Sequence, residues 1–241
     1  MTLPVAILAG GKATRLYPLT EAIPKSLVEV AGKPFIQHQM ELLRRNHIER
    51  VVICLGFLGD QVEETLGDGG VFGLQINYVH DGPMLLGTGG AVKRALPALG
   101  KGAFFVLYGD SYLDIDFACV EAEFVRSGKT GLMTVHKNQG KWDRSNVHFA
   151  QGQIVEYDKK NPTPEMQHID YGLGILQETA FEEVPDDQAY DLADIYKNLI
   201  RKGELAGCEV QERFYEIGSP EGLAETRAYL AEKVGIQRNS G

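Results

Sequence analysis

Two adjacent glycines and spaced basic residues follow the first apolar segment of the chain. Val5–Leu8 is continuously apolar, and Gly10 and Gly11 come directly after Ala9. Glycines let backbone N–H groups come close to phosphate oxygens. Arg15 adds a fork of donors with a permanent charge. The pattern GGxxxRL, followed by PKSL, therefore indicates a phosphate-binding loop at the end of a buried strand.

Two other phosphate-binding patterns can be compared with this segment. A P-loop has the form GxxxxGK[ST], and the dinucleotide fingerprint has the form GxGxxG. Neither occurs here, because Gly10 and Gly11 are adjacent and the next glycine is Gly32. The segment thus argues against a kinase-like NTPase and against a nicotinamide-dependent enzyme.

A carboxylate stands at the end of another apolar segment. Ala103–Leu107 reads as a buried strand, and Gly109 and Asp110 follow at its carboxyl edge. Ligands of open α/β sheets bind at that edge. A carboxylate that faces phosphates there is a natural Mg²⁺ ligand, so Asp110 is a candidate metal ligand.

The segment Leu86–Ala91 is rich in glycine and opens a predicted helix. A glycine-rich turn brings the backbone close to a planar base, and a helix N-terminus favours an anion nearby. We interpret the segment as part of a nucleotide site. A glycine-rich helix start without a ligand remains the alternative.

Apolar segments alternate with helical patterns over the first half of the chain. This order predicts parallel strands joined by right-handed crossovers, and hence a doubly wound, mostly parallel α/β sheet. Continuous Val, Ile and Leu segments fit a sheet that is covered on both faces. The predicted strands are Val5–Leu8, Val51–Leu55, Leu74–Val79 and Ala103–Leu107, and the predicted helices are Pro34–Asn46, Asp60–Leu66 and Thr88–Leu99.

The pattern changes after about residue 130, where shorter strands follow, some of them antiparallel. We expect one domain over residues 1–241, with a nucleotide-binding half at 1–130 and a second half at 131–241 that contains a small mixed β lobe. Ser219 and Pro220 are typical of the start of the last helix. The predicted elements are strands at Gly131–His136, Asn146–Phe149 and Ile154–Tyr157, a hairpin loop at Ala150–Gln153, and helices at Ala189–Arg201 and Pro220–Lys233.

Composition limits the classes of partner. The chain has 241 residues, is 44% hydrophobic and carries a formal net charge of −9. Such an acidic chain is a poor candidate for nucleic-acid or anionic-membrane binding, and its N-terminal apolar segment is too short to span a bilayer. Cys54, Cys119 and Cys208 are odd in number and far apart, which predicts free thiols in a reducing cytoplasm.

The segment LAGGKATRLYPLTEAIPKSL closely resembles the signature of the sugar-1-phosphate nucleotidyltransferases. AGKPFIQHQ, LGTGGAV and VLYGDSYL are similar to further segments of the same family, so that the resemblance covers almost the whole chain. It implies a Rossmann-like nucleotidyltransferase fold. It also implies that residues 131–241 form the sugar-phosphate-binding half.

The resemblance assigns residues to the nucleotide and to the metal. Arg15 and Lys25 are the implied catalytic residues, and Asp110 and Glu216 the implied Mg²⁺ ligands, with Glu216 standing where the family usually has aspartate. The role of Lys12 stays open. The implied nucleotide-binding residues are Leu8, Ala9, Gly10, Gly11, His80, Asp81, Gly87, Thr88, Gly89 and Gly109.

The second half is implied to bind the sugar phosphate. Asp158 and Lys159 occupy the place of the family's usual Glu-Lys pair, and Asn146 replaces a common glycine, so the identity of the sugar is not carried over. Trp142 either covers the sugar or packs. The implied sugar-phosphate-binding residues are Asn146, Asp158, Lys159, Tyr171 and Gly172.

The reaction that this resemblance implies is NTP plus sugar 1-phosphate to NDP-sugar plus pyrophosphate. The glutamine that is common near His80 in uridylyl and thymidylyl members is absent, which favours another base, and LGTGGA is similar to the corresponding segment of heptose-1-phosphate guanylyltransferases. The resemblance therefore favours GTP, with a heptose- or mannose-type acceptor. A UTP-, dTTP- or CTP-dependent transferase for another sugar or phospho-alcohol, and a non-catalytic nucleotide-sugar sensor, remain alternatives. A homo-oligomer is possible, and the sequence does not indicate its size.

Overall fold

The computed structural model describes residues 2–138, 140–142 and 144–239. A nine-stranded sheet runs through both halves of the chain, and two small two-stranded sheets lie beside it. The strands are β1 Val5–Leu8, β2 Glu29–Val30, β3 Lys33–Pro34, β4 Arg50–Leu55, β5 Gln75–His80, β6 Ala103–Tyr108, β7 Ser111–Tyr112, β8 Gly131–Lys137, β9 Val147–Ala150, β10 Gln153–Tyr157, β11 His168–Gln177, β12 Leu205–Val210 and β13 Tyr215–Glu216. The helices are α1 Phe35–Arg45, α2 Gly59–Leu66, α3 Gly87–Leu99, α4 Phe117–Ser127, α5 Leu192–Lys202 and α6 Pro220–Asn239.

The large sheet has the strand order β5-β4-β1-β6-β11-β8-β12-β10-β9. Strands β5, β4, β1 and β6 are parallel, β11 is antiparallel to both β6 and β8, and β12 is parallel to β8. The predicted fold class is therefore confirmed. The strands of the second half extend the first sheet and do not form a sheet of their own, because β11 pairs directly with β6.

The elements of the first half lie where the apolar pattern predicts them, within one or two residues at each end. The β9–β10 hairpin is confirmed, with Gln151 and Gly152 at φ 52° and 76°, as a type I′ turn requires. Ser219 caps α6 through a 3.0 Å hydrogen bond from the Gly222 N–H. The pattern does not predict α4, β12, most of β11, or the two-residue strands β2, β3, β7 and β13.

Helices cover both faces of the sheet and form two cores. Alternate residues of β1 point to opposite faces, so that Val5 and Ile7 join one core and Ala6 joins the other. Helices α1, α2 and α4 bury apolar side chains on the first face, and α3 and α5 do so on the second. This cover explains why the strands read as continuously apolar. Within the described ranges, no helix is both long enough and apolar enough to cross a bilayer.

The carboxyl ends of β1 and β6 lie side by side, at the edge of the sheet where the candidate site forms. Leu8 is in register with Tyr108, and the Gly109 N–H donates to the Leu8 carbonyl at 3.0 Å. A methyl group on Gly109 would lie 2.6 Å from that carbonyl oxygen. A methyl group on Gly10 would lie 3.0 Å from the backbone nitrogen of Gly56. Both positions therefore require glycine so that the loops can pack.

Candidate active site

A cavity of about 350 Å³ opens at the carboxyl ends of β1, β4 and β6. Most of the residues that the sequence assigns to the nucleotide line it, together with an acceptor-side lysine. The lining contains Leu8, Ala9, Gly10, Gly11, Lys25, Asp81, Gly87, Thr88, Gly109, Asp110 and Lys159 of the predicted residues, and Ser26, Cys54, Leu85, Ala91 and Tyr108 in addition. We call this space the first cavity.

Lys25 and Asp110 form an ion pair in the wall of the first cavity. The Lys25 Nζ lies 2.5 Å from Asp110 Oδ2, and both side chains are about one-quarter exposed. Burial alone would raise the pKa of the Asp110 carboxyl. The Lys25 ammonium and, more weakly, Arg15 outweigh that effect, so the pKa of Asp110 is lowered. The neighbouring cations therefore favour the ionised form of Asp110.

Glu216 is brought next to Asp110 by backbone pairing. Strand β13 pairs with β7, which places Glu216 opposite Ser111, and the Ile217 N–H donates to the Asp110 carbonyl at 2.9 Å. The Glu216 carboxylate accepts hydrogen bonds from the Gly218 N–H and the Ser219 hydroxyl. It is thereby anchored at the start of α6.

Three charged side chains converge on Gly218. A methyl group built there would lie 2.8 Å from Glu216 Oε2 and 3.1 Å from Asp110 Oδ2 and from Arg15 Nη2. Asp110 and Glu216, the predicted Mg²⁺ ligands, and Arg15, a predicted catalytic residue, therefore surround one small space. The sequence alone does not reveal this arrangement, because the three residues are far apart in the chain.

The oxygen donors around Gly218 fit a Mg²⁺ ion shared with substrate phosphates. Magnesium is usually held by one or two carboxylates and completes its shell with phosphates and water. Asp110 and Glu216 supply two such carboxylates. Among the described residues, no group of three or more His, Cys, Asp or Glu side chains could hold a metal by itself. The Asp110 and Glu216 carboxylates therefore suit a Mg²⁺ ion that binds together with the phosphates of a nucleotide.

Arg15 faces a different space from the other predicted catalytic residue. It lies on a short 3₁₀ turn, Thr14–Leu16, and is exposed. It lines a second cavity of about 430 Å³, together with Glu216 and residues of the start of α6. Lys12 is also exposed. Lys25 therefore lies in the wall of the first cavity, together with Asp110, and Arg15 lies in the wall of the second cavity.

The two residues assigned to the base edge differ in position. Asp81 is buried in the wall of the first cavity, and its Oδ2 accepts a 3.0 Å hydrogen bond from the Leu86 N–H. Burial raises the pKa of its carboxyl, although Leu86 and Arg94 oppose this. His80 points elsewhere: its imidazole lies 3.1 Å from Glu63 Oε2 and does not line the first cavity.

The glycine-rich start of α3 packs tightly against the start of α5. Gly87 has φ +68°, and a methyl group on it would lie 2.7 Å from the Tyr190 carbonyl oxygen. The Gly89 N–H donates to the same oxygen at 2.8 Å, and Gly89 does not line the first cavity. Thr88 Oγ1 donates to Asp191 Oδ1 at 3.0 Å and accepts from the Leu192 N–H at 2.8 Å. These glycines are therefore required by chain packing as well as by any ligand.

Lys159 belongs to a buried polar cluster on the acceptor side, and Asp170 is its centre. The Tyr108 and Tyr157 hydroxyls donate to Asp170 Oδ2 at 3.0 and 2.8 Å. The Lys159 Nζ lies 3.6 Å from the same oxygen. Burial and the Asp170 charge raise the pKa of both tyrosines well above the usual value. Asp170 is not among the residues predicted from the sequence, although it directly precedes the predicted residues Tyr171 and Gly172.

The remaining sugar-side residues are placed around this cluster. Asn146 Oδ1 accepts from the Asp170 N–H at 2.9 Å, and Gly172, at φ +95°, packs against Tyr108 and Ser111. Asn146 and Gly172 therefore shape the cluster without lining the first cavity.

Asp158 and Tyr171 point away from the first cavity. Asp158 accepts from the N–H groups of Asn161 and Lys160 and from the Lys197 ammonium, which lower the pKa of its carboxyl to about 2. Tyr171 is buried on the opposite face of the sheet, where burial raises the pKa of its hydroxyl. Asp158 therefore stabilises the loop at residues 158–161, and Tyr171 packs in the hydrophobic core.

Comparison with known proteins establishes the family of the chain. The family model "Nucleotidyl transferase" matches residues 5–233, and the chain belongs to that family. It is 30% identical over 227 residues to N-acetylmuramate alpha-1-phosphate uridylyltransferase of Neisseria meningitidis, covering 92% of this chain and 96% of that protein. It is 28% identical to mannose-1-phosphate guanylyltransferase catalytic subunit beta of Xenopus tropicalis, covering 89% of this chain and 61% of the relative.

The fold is also shared with a solved structure. A Bacillus anthracis protein assigned as a glucose-1-phosphate thymidylyltransferase, determined in complex with sucrose, superposes with a TM-score of 0.84. The alignment covers 94% of each chain at 23% identity. At this identity the likeness establishes the fold, and the chemistry rests on the site residues.

Proposed function

We propose that this chain transfers a nucleotidyl group from an NTP to a sugar 1-phosphate and releases pyrophosphate. One observation carries the proposal: Asp110, Glu216 and Arg15 converge on Gly218 beside the first cavity, with Lys25 paired to Asp110. The related uridylyl- and guanylyltransferases support the reaction class.

The site residues suggest a displacement that needs no general base. The acceptor phosphate is already anionic, so its oxygen can attack the α-phosphorus in line, and catalysis rests on positioning and charge neutralisation. In this proposal Lys25 neutralises the charge that develops at the α-phosphate, Lys159 binds the acceptor phosphate, and Arg15 stabilises the leaving pyrophosphate. Bound Mg²⁺, held by Asp110 and Glu216, would supply further neutralisation of the phosphate charge.

We propose GTP and a heptose- or mannose-type acceptor as the preferred substrates. Asp81 supports the choice of base, since an ionised carboxylate only accepts hydrogen bonds and guanine presents two adjacent donors on its Watson–Crick edge. Uracil and thymine place carbonyl oxygens on both sides of a single donor, and these would face the carboxylate. The curated relatives include both uridylyl and guanylyl enzymes, so this preference is a proposal for this chain.

The test is a panel of four NTPs against several sugar 1-phosphates, with pyrophosphate release as the readout. We expect turnover, with the largest kcat/KM for GTP. Arg15→Ala, Lys25→Ala and Asp110→Ala should each reduce kcat about a hundredfold or more, while Lys101→Ala, in an exposed turn, should not. No turnover with any pair, combined with tight NDP-sugar binding, would instead favour a non-catalytic sensor.

A further inference from the structure

Gln39 is a buried polar residue to which the proposed reaction gives no role. It lies on α1 and is 0% exposed, among apolar residues of the same helix such as Ile36 and Met40. Its Nε2 donates to the Tyr108 carbonyl at 3.0 Å and to the Ser111 carbonyl at 2.8 Å. Its Oε1 has no donor among the described residues, so the amide acts through its two N–H groups.

The two carbonyls flank the backbone that carries Asp110. Tyr108 is the last residue of β6, Ser111 is the first residue of β7, and only Gly109 and Asp110 lie between them. Because one nitrogen binds both carbonyls, the Gln39 amide limits how far the two ends of this connection can move apart. An ionised carboxylate or an apolar side chain could not replace it, since neither has an N–H group to donate.

The position of Glu216 depends on the same β6–β7 connection. Ser111 is paired with Glu216 between β7 and β13, and the Ile217 N–H donates to the Asp110 carbonyl at 2.9 Å. A shift of the connection would therefore move both carboxylates that converge near Gly218. The buried amide thus holds the backbone that joins the two implied Mg²⁺ ligands.

The helix that carries Gln39 is firmly packed. Ile36, Met40 and Leu43 of α1 are buried in the core that also contains Val5 of β1. The amide is therefore presented by a rigid element, and its own position does not depend on a ligand. Gln39 is not among the described residues that line the first or the second cavity, so its effect on a ligand must pass through the backbone.

We propose that Gln39 is a positioning residue for metal binding, because its amide fixes the β6–β7 connection and thereby the place of Asp110 and Glu216. The inference rests on the proposed function, since it assumes that these two carboxylates share a Mg²⁺ ion with an NTP. Replacing a residue that orients metal ligands without touching the metal typically lowers metal affinity by roughly 10- to 100-fold. Loss of the Gln39 amide should therefore weaken the Mg²⁺-dependent part of NTP binding and leave the metal-independent part in place.

The test is calorimetric binding of NTP, without any sugar phosphate, in excess Mg²⁺ and in EDTA. The NTP is the one of the four that binds the native protein most tightly, and the Kd in EDTA divided by the Kd in Mg²⁺ measures the contribution of the metal. Gln39→Met has a similar length and no N–H donor. We expect it to reduce this metal ratio about tenfold, or to near one, with the Kd in EDTA changed by less than about threefold. In turnover, the Mg²⁺ concentration for half-maximal rate should rise by a similar factor.

His38→Leu is the matched control for loss of a buried hydrogen bond from the same helix. His38 is also buried, and its Nε2 lies 2.7 Å from the Val30 carbonyl of β2. This variant should lower Tm without changing the metal ratio. Gln39→Asn keeps the NH2 group on a side chain that is one methylene shorter. It should give an intermediate metal ratio, and it carries the test should Gln39→Met not fold.

A native metal ratio in folded Gln39→Met or in Gln39→Asn would overturn the inference, as would an equal loss in His38→Leu. So would a parallel rise of the Kd in EDTA, because Gln39 would then shape the nucleotide pocket rather than the metal ligands. Turnover with a metal ratio that does not depend on Gln39 contradicts only the inference. A metal ratio that depends on Gln39, without turnover for any pair of substrates, contradicts only the proposed function.

Discussion

Gly218→Ala places a single methyl group at the point where three charged side chains meet. The new carbon would lie 2.8 Å from Glu216 Oε2 and 3.1 Å from Asp110 Oδ2 and Arg15 Nη2, where about 3.4 Å or more is ordinary contact. The three groups must therefore retreat by roughly half an ångström. A displacement of about 1 Å at a reacting centre costs around a hundredfold in rate. On that scale, half an ångström should lower kcat/KM by roughly tenfold, which is about 1.4 kcal/mol in the barrier.

The same substitution should leave the fold nearly intact. Gly218 does not have a positive φ, and the atoms that the methyl group meets are the ends of side chains. The free energy of unfolding should therefore fall by about 1 kcal/mol, the lower end for overpacking, or roughly 2–4 °C in Tm. Gly235→Ala in α6 is the matched control, because nothing lies within 4 Å of its added carbon.

The assay for Gly218→Ala is pyrophosphate release at several Mg²⁺ concentrations, beside a thermal melt. The apparent affinity for Mg²⁺ should weaken together with kcat/KM, because both carboxylates move. A variant within threefold of the native kcat/KM at unchanged Tm would refute the reasoning that this space is used during the reaction.

Three further predictions concern charge and hydrogen bonding. Lys25→Gln removes the cation that lowers the pKa of Asp110, so the acidic limb of the pH–rate profile should move to higher pH; an unmoved limb would contradict this. Asp158→Asn should lower Tm at neutral pH, and because the folded-state pKa is depressed to about 2, the difference from the native protein should shrink as pH falls from about 4 to 2. His80→Gln should leave the KM for NTP within twofold, whereas Asp81→Asn should raise the KM for GTP about tenfold; equal effects would refute the placement of the base.

The sequence predicts the nucleotide side better than the acceptor side, for a physical reason. Lys25 is implied by the family resemblance, whereas Gly10 and Asp110 follow parallel strands, and the carboxyl ends of such strands must meet at one edge of the sheet. Local pattern and one general rule were therefore enough to bring them together. Their paired geometry, with Lys25 2.5 Å from Asp110, needed the structure.

The acceptor side depends on pairings between distant segments. Asp170 joins Tyr108 and Tyr157 only because β11 lies beside β6, and a ten-residue antiparallel strand there is not implied by the order of elements. Asp158 matches a sequence pattern, yet nearby backbone N–H groups and Lys197 engage its carboxylate. Sequence pattern identifies residue types, and it does not show which neighbour satisfies each polar group.

In the proposed reaction, α5 would set a fixed distance between the two substrates, because its start packs against the start of α3. At one end of α5, Asp191 accepts a hydrogen bond from Thr88 in the wall of the first cavity, and six residues later Lys197 donates to Asp158, the neighbour of Lys159. At 1.5 Å of rise per residue, Asp191 and Lys197 stand about 9 Å apart along the helix axis. Deleting one residue between them would turn Lys197 by about 100° and release the lysine loop, while the base end kept its place. The separation proposed for nucleotide and acceptor thus depends on a helix whose residues do not line the first cavity.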